Sequence, residues 1–199
     1  MNFIFISPHF PESYWLFCQG LKNNGVNVIG NCDTYNSLST NLKNSINDFY
    51  QVSNLENYDE MLKAVAWFTY KHGKIDWIES NNEYWLRQDA RLRRDFHVVN
   101  GFPCEALDNC QSKHRMKEFF AAAGLQTARW QLATTLEDAL HFIEQVGYPI
   151  VMKPDIGVGA SDTHKIRNEE ELQNAFAAGF KEGHMEEYTN GRLFRWHHQ

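Results

Sequence analysis

The sequence predicts an α/β chain made of two units, a domain with a parallel β-sheet followed by a smaller α+β unit. Two observations lead to this prediction. Over residues 1–103, short apolar runs alternate with segments of helical periodicity, a pattern typical of a parallel sheet with helices on both faces. After Pro103, a second series of helices and short strands surrounds a glycine-containing loop. A length of 199 residues suits one large or two small domains.

The first domain begins with a continuous apolar run over residues 3–7, as expected of a strand buried on both faces. Helical periodicity follows over residues 11–24 and ends at Gly25. The remaining elements predicted for this domain are strands at 26–30, 48–52 and 75–79 and helices at 58–72 and 83–95.

The second unit is predicted to begin with a helix over residues 112–123, ended by Gly124. A strand over 128–133 and an amphipathic helix over 135–146 come next, and Gly147 and Pro149 stop that helix. A strand over 163–167 precedes a last helix over 169–180. Asn168 is its predicted N-cap, with Glu171 as the reciprocal partner of a capping box.

Composition excludes several classes of protein. The hydrophobic content of 43% and the aromatic content of 14% are typical of globular chains, and the net charge of −6 argues against a non-specific nucleic-acid binder. The first apolar run is too short for a signal peptide, and no run approaches the roughly 20 residues of a membrane span. A cytoplasmic protein with no membrane or nucleic-acid partner is therefore predicted.

Two groups of residues receive structural interpretations. The basic residues of helix 83–95 alternate with acidic ones, which predicts a solvated helix face; the residues are Arg87, Arg91, Arg93 and Arg94, with Asp89 and Asp95. The cysteines lack metal-ligand spacing, which predicts reduced thiols; they are Cys18, Cys32, Cys104 and Cys110. No metal-binding residue is predicted in this chain.

The most informative segment is residues 148–161, Tyr-Pro-Ile-Val-Met-Lys-Pro-Asp-Ile-Gly-Val-Gly-Ala-Ser. An apolar strand ends on Lys153, and a loop with Gly157, Gly159 and Ser161 follows. The strand supplies a cation and the loop exposes backbone N–H groups, which together suit a polyphosphate. A further strand follows instead of the helix that opens after a Walker or dinucleotide loop. A solvated lysine is the alternative, but packing explains Lys153 poorly at this position.

Two other segments follow predicted parallel strands, where ligands of such sheets gather. Residues 7–11 contain no glycine, so a dinucleotide fingerprint is missing, and His9 is interpreted as a packed or surface histidine. Residues 79–83 read Glu-Ser-Asn-Asn-Glu. They predict either a substrate pocket or a turn with an N-cap, and the turn is favoured. The residues of the pocket interpretation are Glu79, Asn81, Asn82 and Glu83.

The order of these pieces resembles the ATP-grasp superfamily, in particular its carboxylate–amine ligase-like members. The residues that carry the resemblance are Lys113 on a helix ending at Gly124, then Lys153-Pro154, the loop Gly157-Val-Gly-Ala-Ser161, and Met185-Glu-Glu-Tyr188. The first 103 residues resemble the Rossmann-like domain that precedes the grasp module, and residues 104–191 resemble the first lobe of that module. The resemblance covers residues 1–191.

The resemblance implies a site and a chemistry. Lys113 and Lys153 would face the phosphates of ATP as compact charges, and a flap over the phosphates would consist of Gly157, Gly159, Ala160 and Ser161. Glu186 would accept from the adenine amino group, with backbone contacts from Glu187 and Tyr188. Such a ligase uses ATP and Mg²⁺ to form an acylphosphate on a small carboxylate, and an amine or thiol then displaces phosphate.

The pattern changes after Gly191. Leu193 stands where the family has a carboxylate for the ribose, and residues 192–199 do not read as a strand or helix. Read one nucleotide later, allowed codons for residues 194–199 encode Phe-Asp-Gly-Ile-Thr, which resembles a strand of the second lobe. The hypothesis is a frameshifted, truncated chain that lacks the Mg²⁺-binding lobe. Such a chain is expected to bind ATP weakly or not at all, to be inactive, and to self-associate through exposed apolar surface.

Two alternatives remain open. In one, the chain is a non-enzymatic module that binds a small ligand through residues 79–83. In the other, it is a dinucleotide oxidoreductase, against which the absence of a glycine fingerprint after Ser7 argues.

Overall fold

The computed structural model describes residues 1–33, 38–157, 162–180 and 183–189. The chain divides into two compact units, Met1–Leu107 and Asp108–Gln199. Three sequence-based expectations lie outside the described residues: the flap residues Gly159, Ala160 and Ser161, the residue Leu193, and the frameshift hypothesis for residues 192–199.

The first unit is an α/β domain whose four strands are all parallel, in the order β3-β2-β1-β4. The parallel-sheet prediction is therefore confirmed. Its elements are β1 (Asn2–Ile6), α1 (Trp15–Asn23), β2 (Asn27–Cys32), α2 (Thr40–Ser45), β3 (Asp48–Gln51), α3 (Tyr58–His72), β4 (Trp77–Glu79) and α4 (Leu86–Asp95).

Alternate residues of β1 enter two different cores, which explains its continuous apolar run. Ile4 and Ile6 pack with Phe68 of α3 on one face of the sheet. Phe3 and Phe5 pack with Cys18 of α1 on the other. Side chains point alternately to opposite faces of a strand, so residues 3–6, buried on both faces, are all apolar.

The structure corrects the sequence predictions at two places in this unit. Helix α2 was not predicted, because its sequence Thr-Asn-Leu-Lys-Asn-Ser lacks apolar periodicity. On α4, Arg93 and Asp89 are 3% and 0% exposed, so the interpretation of the charged residues as a solvated face is wrong for these two. Arg93 is buried because its guanidinium donates to the carbonyl oxygens of Ile78 (2.7 Å) and Phe102 (2.8 Å).

The second unit contains an antiparallel sheet in the order β5-β8-β6-β7. Its elements are α5 (Leu107–Gln111, starting at the division), α6 (Lys113–Ala122), β5 (Trp130–Ala133), α7 (Leu136–Val146), β6 (Ile150–Lys153), β7 (His164–Ile166), α8 (Glu169–Ala177) and β8 (Gly183–Glu187). The last strand of the described residues, β8, thus lies between β5 and β6 inside the sheet. An α/β domain followed by an α+β unit is the predicted fold class.

Helices α7 and α8 cover one face of this sheet, where Met152 of β6 and Met185 of β8 pack with Phe142 and Leu172. Met152 and Met185 are paired across the two strands. Because side chains alternate along a strand, Lys153 and its partner His184 lie on the opposite face. That face therefore carries the side chains of Lys153, His184 and Glu186.

The capping of α8 was predicted in part. The Asn168 side chain accepts from the backbone N–H of Glu171 at 2.9 Å, which confirms the N-cap. The reciprocal bond is absent, because the Glu171 carboxylate accepts from the N–H of Arg167 at 2.8 Å instead. A complete capping box occurs at α7, between Thr135 and Asp138.

Candidate functional site

Lys153, the last residue of β6, forms an ion pair with Glu186 of β8, with Nζ 2.5 Å from Oε2. The two strands are hydrogen-bonded neighbours, and Val151, two residues before Lys153, pairs with Glu186. Period-two alternation therefore places both charged side chains on the same face of the sheet.

The same Glu186 carboxylate is shared with a second lysine, Lys117 of α6, whose ammonium contacts Oε1. Lys117 also donates to the carbonyl oxygen of Ala128 at 3.1 Å and is only 9% exposed. Burial by itself raises the pKa of Glu186, but hydrogen bonds from Lys117 and Lys153 outweigh it and hold that pKa below its usual value. Lys117 was not predicted as a site residue. Its position one turn after Lys113 was the available signal.

The start of α6 is tied to the segment that follows β6. Lys113 Nζ donates to the carbonyl oxygens of Asp155 (3.1 Å) and Gly157 (3.3 Å). The Asp155 carboxylate accepts from the His114 backbone N–H and lies against the His114 ring, both at 2.9 Å. Burial acts to raise the pKa of Asp155, but the bonds from His114 and Ser112 lower it overall. The structure thus brings the predicted Lys113 to the loop that begins after the predicted Lys153.

A buried histidine lies beside these charges. His184 is 0% exposed, and among the described residues neither ring nitrogen has a hydrogen-bond partner. Its ring stacks on Trp130, and its Nε2 is 3.9 Å from Oε2 of Glu186. Burial lowers the pKa of His184 to about 4; Glu186 opposes this shift, and Lys117 and Lys153 add to it. His184 is therefore neutral at pH 7.

The other residues of the predicted hinge segment have different surroundings. The Glu187 carboxylate pairs with Arg129 (2.6 Å), which also donates to the carbonyl oxygen of Gln145 in α7. The ring of Tyr188 lies under Lys165 Nζ, 3.6 Å from the ring centroid. Glu187 thus contacts a group on the α7 side, whereas Glu186 joins the lysines on the other face.

A cavity of about 1000 Å³ lies beside β7 and α8. Pro154 and Lys165 line it, together with residues of α8. Lys117, Lys153 and Glu186 are not among its lining residues. The lysine cluster is therefore a feature of the sheet face and does not belong to this cavity.

In the first unit, the turn interpretation of residues 79–83 is confirmed. The Asn82 side chain caps a short 3-10 turn, Glu83–Trp85, by accepting from the N–H of Tyr84 at 3.0 Å. Glu79 pairs with Arg93 at 3.1 Å, and the backbone carbonyl of Asn81 accepts from the hydroxyl of Tyr14. These contacts hold the turn, and a substrate role for the four residues stays a prediction.

Within the part of the chain that the structure describes, buried polar atoms without a hydrogen-bond partner lie around the carboxyl ends of the first sheet: His9 Nδ1, Asn31 Oδ1, Gln88 Nε2 and Asp89 Oδ1. Burial, reinforced by neighbouring Glu79, raises the pKa of Asp89 well above its ordinary value, although bonds from Ser80 oppose the shift. Unpartnered buried polar atoms are uncommon and call for a partner outside the protein chain or for water.

Three further findings bear on the predicted class. Among the residues that the structure describes, no group of three His, Cys, Asp or Glu side chains is placed to hold a metal ion. The four cysteines are reduced thiols, as predicted. Within the described ranges, no helix has both the length and the apolar character needed to cross a membrane.

The second unit thus carries Lys117 and Lys153 on one face of an antiparallel sheet, and it follows a parallel-sheet domain in the chain. Residues 108–195 match the family model described as carbamoyl-phosphate synthase L chain, ATP binding domain. This match covers less than half of the chain, and it agrees with the ATP-grasp resemblance seen in the sequence of residues 104–191.

Individual proteins are also similar to parts of this chain. The chain is 30% identical over 95 residues to D-alanine–D-alanine ligase B of Clostridium perfringens. The aligned part covers 45% of this chain and 32% of that enzyme. Among solved structures, it resembles N5-carboxyaminoimidazole synthetase from Staphylococcus aureus complexed with ADP, at 21% identity and a TM-score of 0.72. That likeness covers 94% of this chain and 46% of the other.

The biotin carboxylase domain of Hydrogenobacter thermophilus 2-oxoglutarate carboxylase, in complex with MgADP and bicarbonate, is also similar. It is 19% identical with a TM-score of 0.73, over 94% of this chain and 44% of that one. At these identities the likeness shows the fold. The chain spans about half the length of these solved proteins and a third or less of the first curated relatives.

Proposed function

We propose that this chain supplies the ATP-binding lobe of an ATP- and Mg²⁺-dependent carboxylate–amine or carboxylate–thiol ligase. The observation that carries the proposal is the meeting of Lys113 and Lys153 at one loop. Lys153 immediately precedes the loop, and Lys113 donates to its Asp155 and Gly157 carbonyl oxygens. Two ammonium groups beside a loop of small residues suit the phosphates of a nucleotide.

Each predicted residue has a role in this proposal. Lys113 and Lys153 bind phosphate oxygens, and the loop residues Gly157, Gly159, Ala160 and Ser161 close over the phosphates. The hinge segment Glu186–Tyr188 contacts the adenine. Because the Glu186 carboxylate already accepts from two lysines, Lys153 exchanges this partner for a phosphate oxygen when ATP binds.

The reaction follows from the proposed class. A substrate carboxylate oxygen attacks the γ-phosphorus, the bond to the β,γ-bridging oxygen breaks, and ADP leaves. An amine or thiol then attacks the acyl carbon, and inorganic phosphate leaves. Lys113 and Lys153 fix the phosphates and offset their charge, and such positioning and charge neutralisation supply most of the catalysis in phosphoryl transfer. Mg²⁺ would add charge neutralisation, and no residue of this chain is assigned as its ligand.

Calorimetric titration with ATP and Mg²⁺ tests the nucleotide-binding proposal. The Lys153→Met variant is expected to bind ATP about tenfold more weakly, or worse, than the unchanged chain. The matched control is Lys63→Met, which removes an exposed lysine from α3 of the first unit. Equal affinities for the unchanged chain and Lys153→Met would contradict the assigned role of Lys153. No measurable binding by the unchanged chain would contradict a nucleotide site in this chain, and it is the outcome expected if ATP binding requires the second lobe.

The predicted inactivity of the 199-residue chain needs a separate measurement. We expect no ADP release above background with a panel of amino acids and short carboxylic acids, and stoichiometric release with any of them would overturn this expectation.

Light scattering after size exclusion tests the predicted self-association. Phe119 and Leu125 of the second unit are 56% and 59% exposed, and such surface favours association. A cytoplasmic location is also part of the proposed function.

A second candidate function is the binding of a small polar ligand by the first unit. The unpartnered buried atoms at the carboxyl ends of its strands favour it, because ligands of parallel sheets bind there. Thermal-shift measurements with single amino acids, short carboxylates and NAD⁺ test it. An amino acid or carboxylate that stabilises the unchanged chain but not Asn31→Leu supports the candidate. Stabilisation of the unchanged chain by NAD⁺ would instead support the alternative of a dinucleotide oxidoreductase.

A further inference from the structure

Lys117 has an unusual position for a lysine. It lies on α6, is 9% exposed, and its ammonium is held between Glu186 of β8 and the carbonyl oxygen of Ala128. Lysine is rarely buried unless it is paired, so this placement requires the carboxylate that it meets. That carboxylate is the one that also holds Lys153, with Nζ 2.5 Å from Oε2.

The two lysines differ in how firmly they are held. Lys117 has two acceptors, on two different segments of the chain, and its side chain is 11% exposed. Lys153 is at the end of β6, directly before Pro154 and the loop, and its side chain is 24% exposed. Lys153 is therefore the partner that can turn toward a ligand while Lys117 stays in place.

If Lys153 left Glu186 in the absence of Lys117, a carboxylate whose side chain is only 19% exposed would lose its cation. Removal of one partner from a buried ion pair is strongly unfavourable, because it leaves the other charge uncompensated. With Lys117 in place, Glu186 keeps a cation throughout. The neighbouring His184 cannot substitute, because burial keeps its ring neutral.

We propose that Lys117 is a positioning residue that neutralises Glu186, so that the Lys153 ammonium is available to the phosphates of a bound nucleotide. The nucleotide part of this inference rests on the proposed function. The part that concerns Lys117, Glu186 and Lys153 does not, and it is testable without a ligand.

The ligand-free test is the rate at which acetic anhydride acetylates Lys153 at pH 8, followed by peptide mass spectrometry. In Lys117→Met, Lys153 is the single lysine paired with the Glu186 carboxylate, which therefore holds the Lys153 ammonium more tightly. Acetylation of Lys153 is expected to slow about tenfold. Lys117→Arg is expected to restore the normal rate. In Lys117→Met/Glu186→Gln the carboxylate that holds Lys153 is gone, and Lys153 is expected to react as in Glu186→Gln alone.

A merely structural role predicts the opposite result, because loosened packing around α6 would speed the acetylation of Lys153. An unchanged or faster rate in Lys117→Met therefore overturns the proposal. Arg115→Gln is the matched control, since it removes one positive charge from an exposed position of the same helix, and its rate should equal that of the unchanged chain. Circular dichroism of each variant establishes whether it is folded. If Lys117→Met is unfolded, the comparison of Lys117→Met/Glu186→Gln with Glu186→Gln still tests the proposal.

The second readout is ATP affinity. Lys117→Met is expected to bind ATP about tenfold more weakly, and Lys117→Met/Glu186→Gln is expected to recover the affinity of Glu186→Gln. If the unchanged chain binds no ATP, the proposed function fails and the acetylation result still decides the role of Lys117. If ATP binds but Lys117→Met and the unchanged chain do so equally, the proposed function stands and this inference fails.

Discussion

The ring of His184 stacks on the indole of Trp130, with centroids 5.4 Å apart and an interplanar angle of 15°. The stack buries the histidine completely, in the middle strand β8 and beside the ion pairs of Glu186. An imidazole in this environment resists protonation, because the charged form would lose its hydration. The consequences are measurable.

We predict that His184 makes the second unit sensitive to acid. Its folded pKa is about 4, against an ordinary value of 6.5, so between these values the unfolded chain binds a proton that the folded chain does not. Stability therefore falls as the pH drops, by about 2 kcal/mol between pH 7 and pH 5 for this group. Urea unfolding at the two pH values should show this loss in the unchanged chain and not in His184→Phe.

His141 provides the control for that experiment, since its side chain is 67% exposed on α7. His141→Gln should lose as much stability as the unchanged chain between pH 7 and pH 5. An equal loss in His184→Phe would show that other groups, such as the Glu186 carboxylate with its two lysines and the Asp155 carboxylate with His114, cause the acid sensitivity.

We predict that Arg93 is required for the stability of the first unit. Its guanidinium donates to two backbone carbonyl oxygens and to Glu79, and Arg93→Met would leave these acceptors buried without a donor. The expected cost is about 3 kcal/mol in the free energy of unfolding. Denaturant titration checks the value. Arg94→Met, at an exposed position of the same helix, should cause little change, and similar losses in both variants would contradict the assignment.

We predict that Asp89→Asn raises stability at neutral pH relative to the unchanged chain. The pKa of Asp89 is well above its ordinary value, so the folded chain keeps a proton that the unfolded chain releases, and stability falls as the pH rises above about 4. An amide oxygen can still accept from Ser80, as Oδ2 does now at 3.0 Å and 2.5 Å, without this titration. The free energy of unfolding should fall less steeply from pH 4 to pH 8 in Asp89→Asn than in the unchanged chain. Parallel pH profiles of the two proteins would contradict the prediction.

We predict opposite effects for two glycine-to-alanine substitutions. Gly101 has a φ of +91°, and a Cβ there would lie 2.9 Å from the Arg93 guanidinium, so Gly101→Ala should destabilise by about 1–3 kcal/mol. Gly20 lies in α1, where a Cβ would have no neighbouring heavy atom within 4 Å, so Gly20→Ala should stabilise by about 0.5–1 kcal/mol. Thermal unfolding compares the two, and a shift of the same sign in both would contradict the argument.

Local sequence determined most of the elements and their order, although not helix α2. Apolar periodicity and a closing glycine defined the helix Tyr58–His72, and the apolar run of β1 indicated a strand buried on both faces. Both signals depend on residues close together in the chain, so they need no knowledge of packing. The ATP-grasp resemblance came from the same source, because its residues occur in a recognisable order.

Tertiary structure alone decided which side chains meet. Glu186 meets Lys153 and Lys117 because β8 inserts beside β6 and because α6 lies over the same face of that sheet. The burial of Arg93 likewise depends on two carbonyl groups from other segments. A charged residue looks the same in a sequence whether water or a distant partner surrounds it. Only the packing of remote strands and helices determines whether a charged side chain is solvated or paired, because burial and Coulomb attraction depend on distance in space.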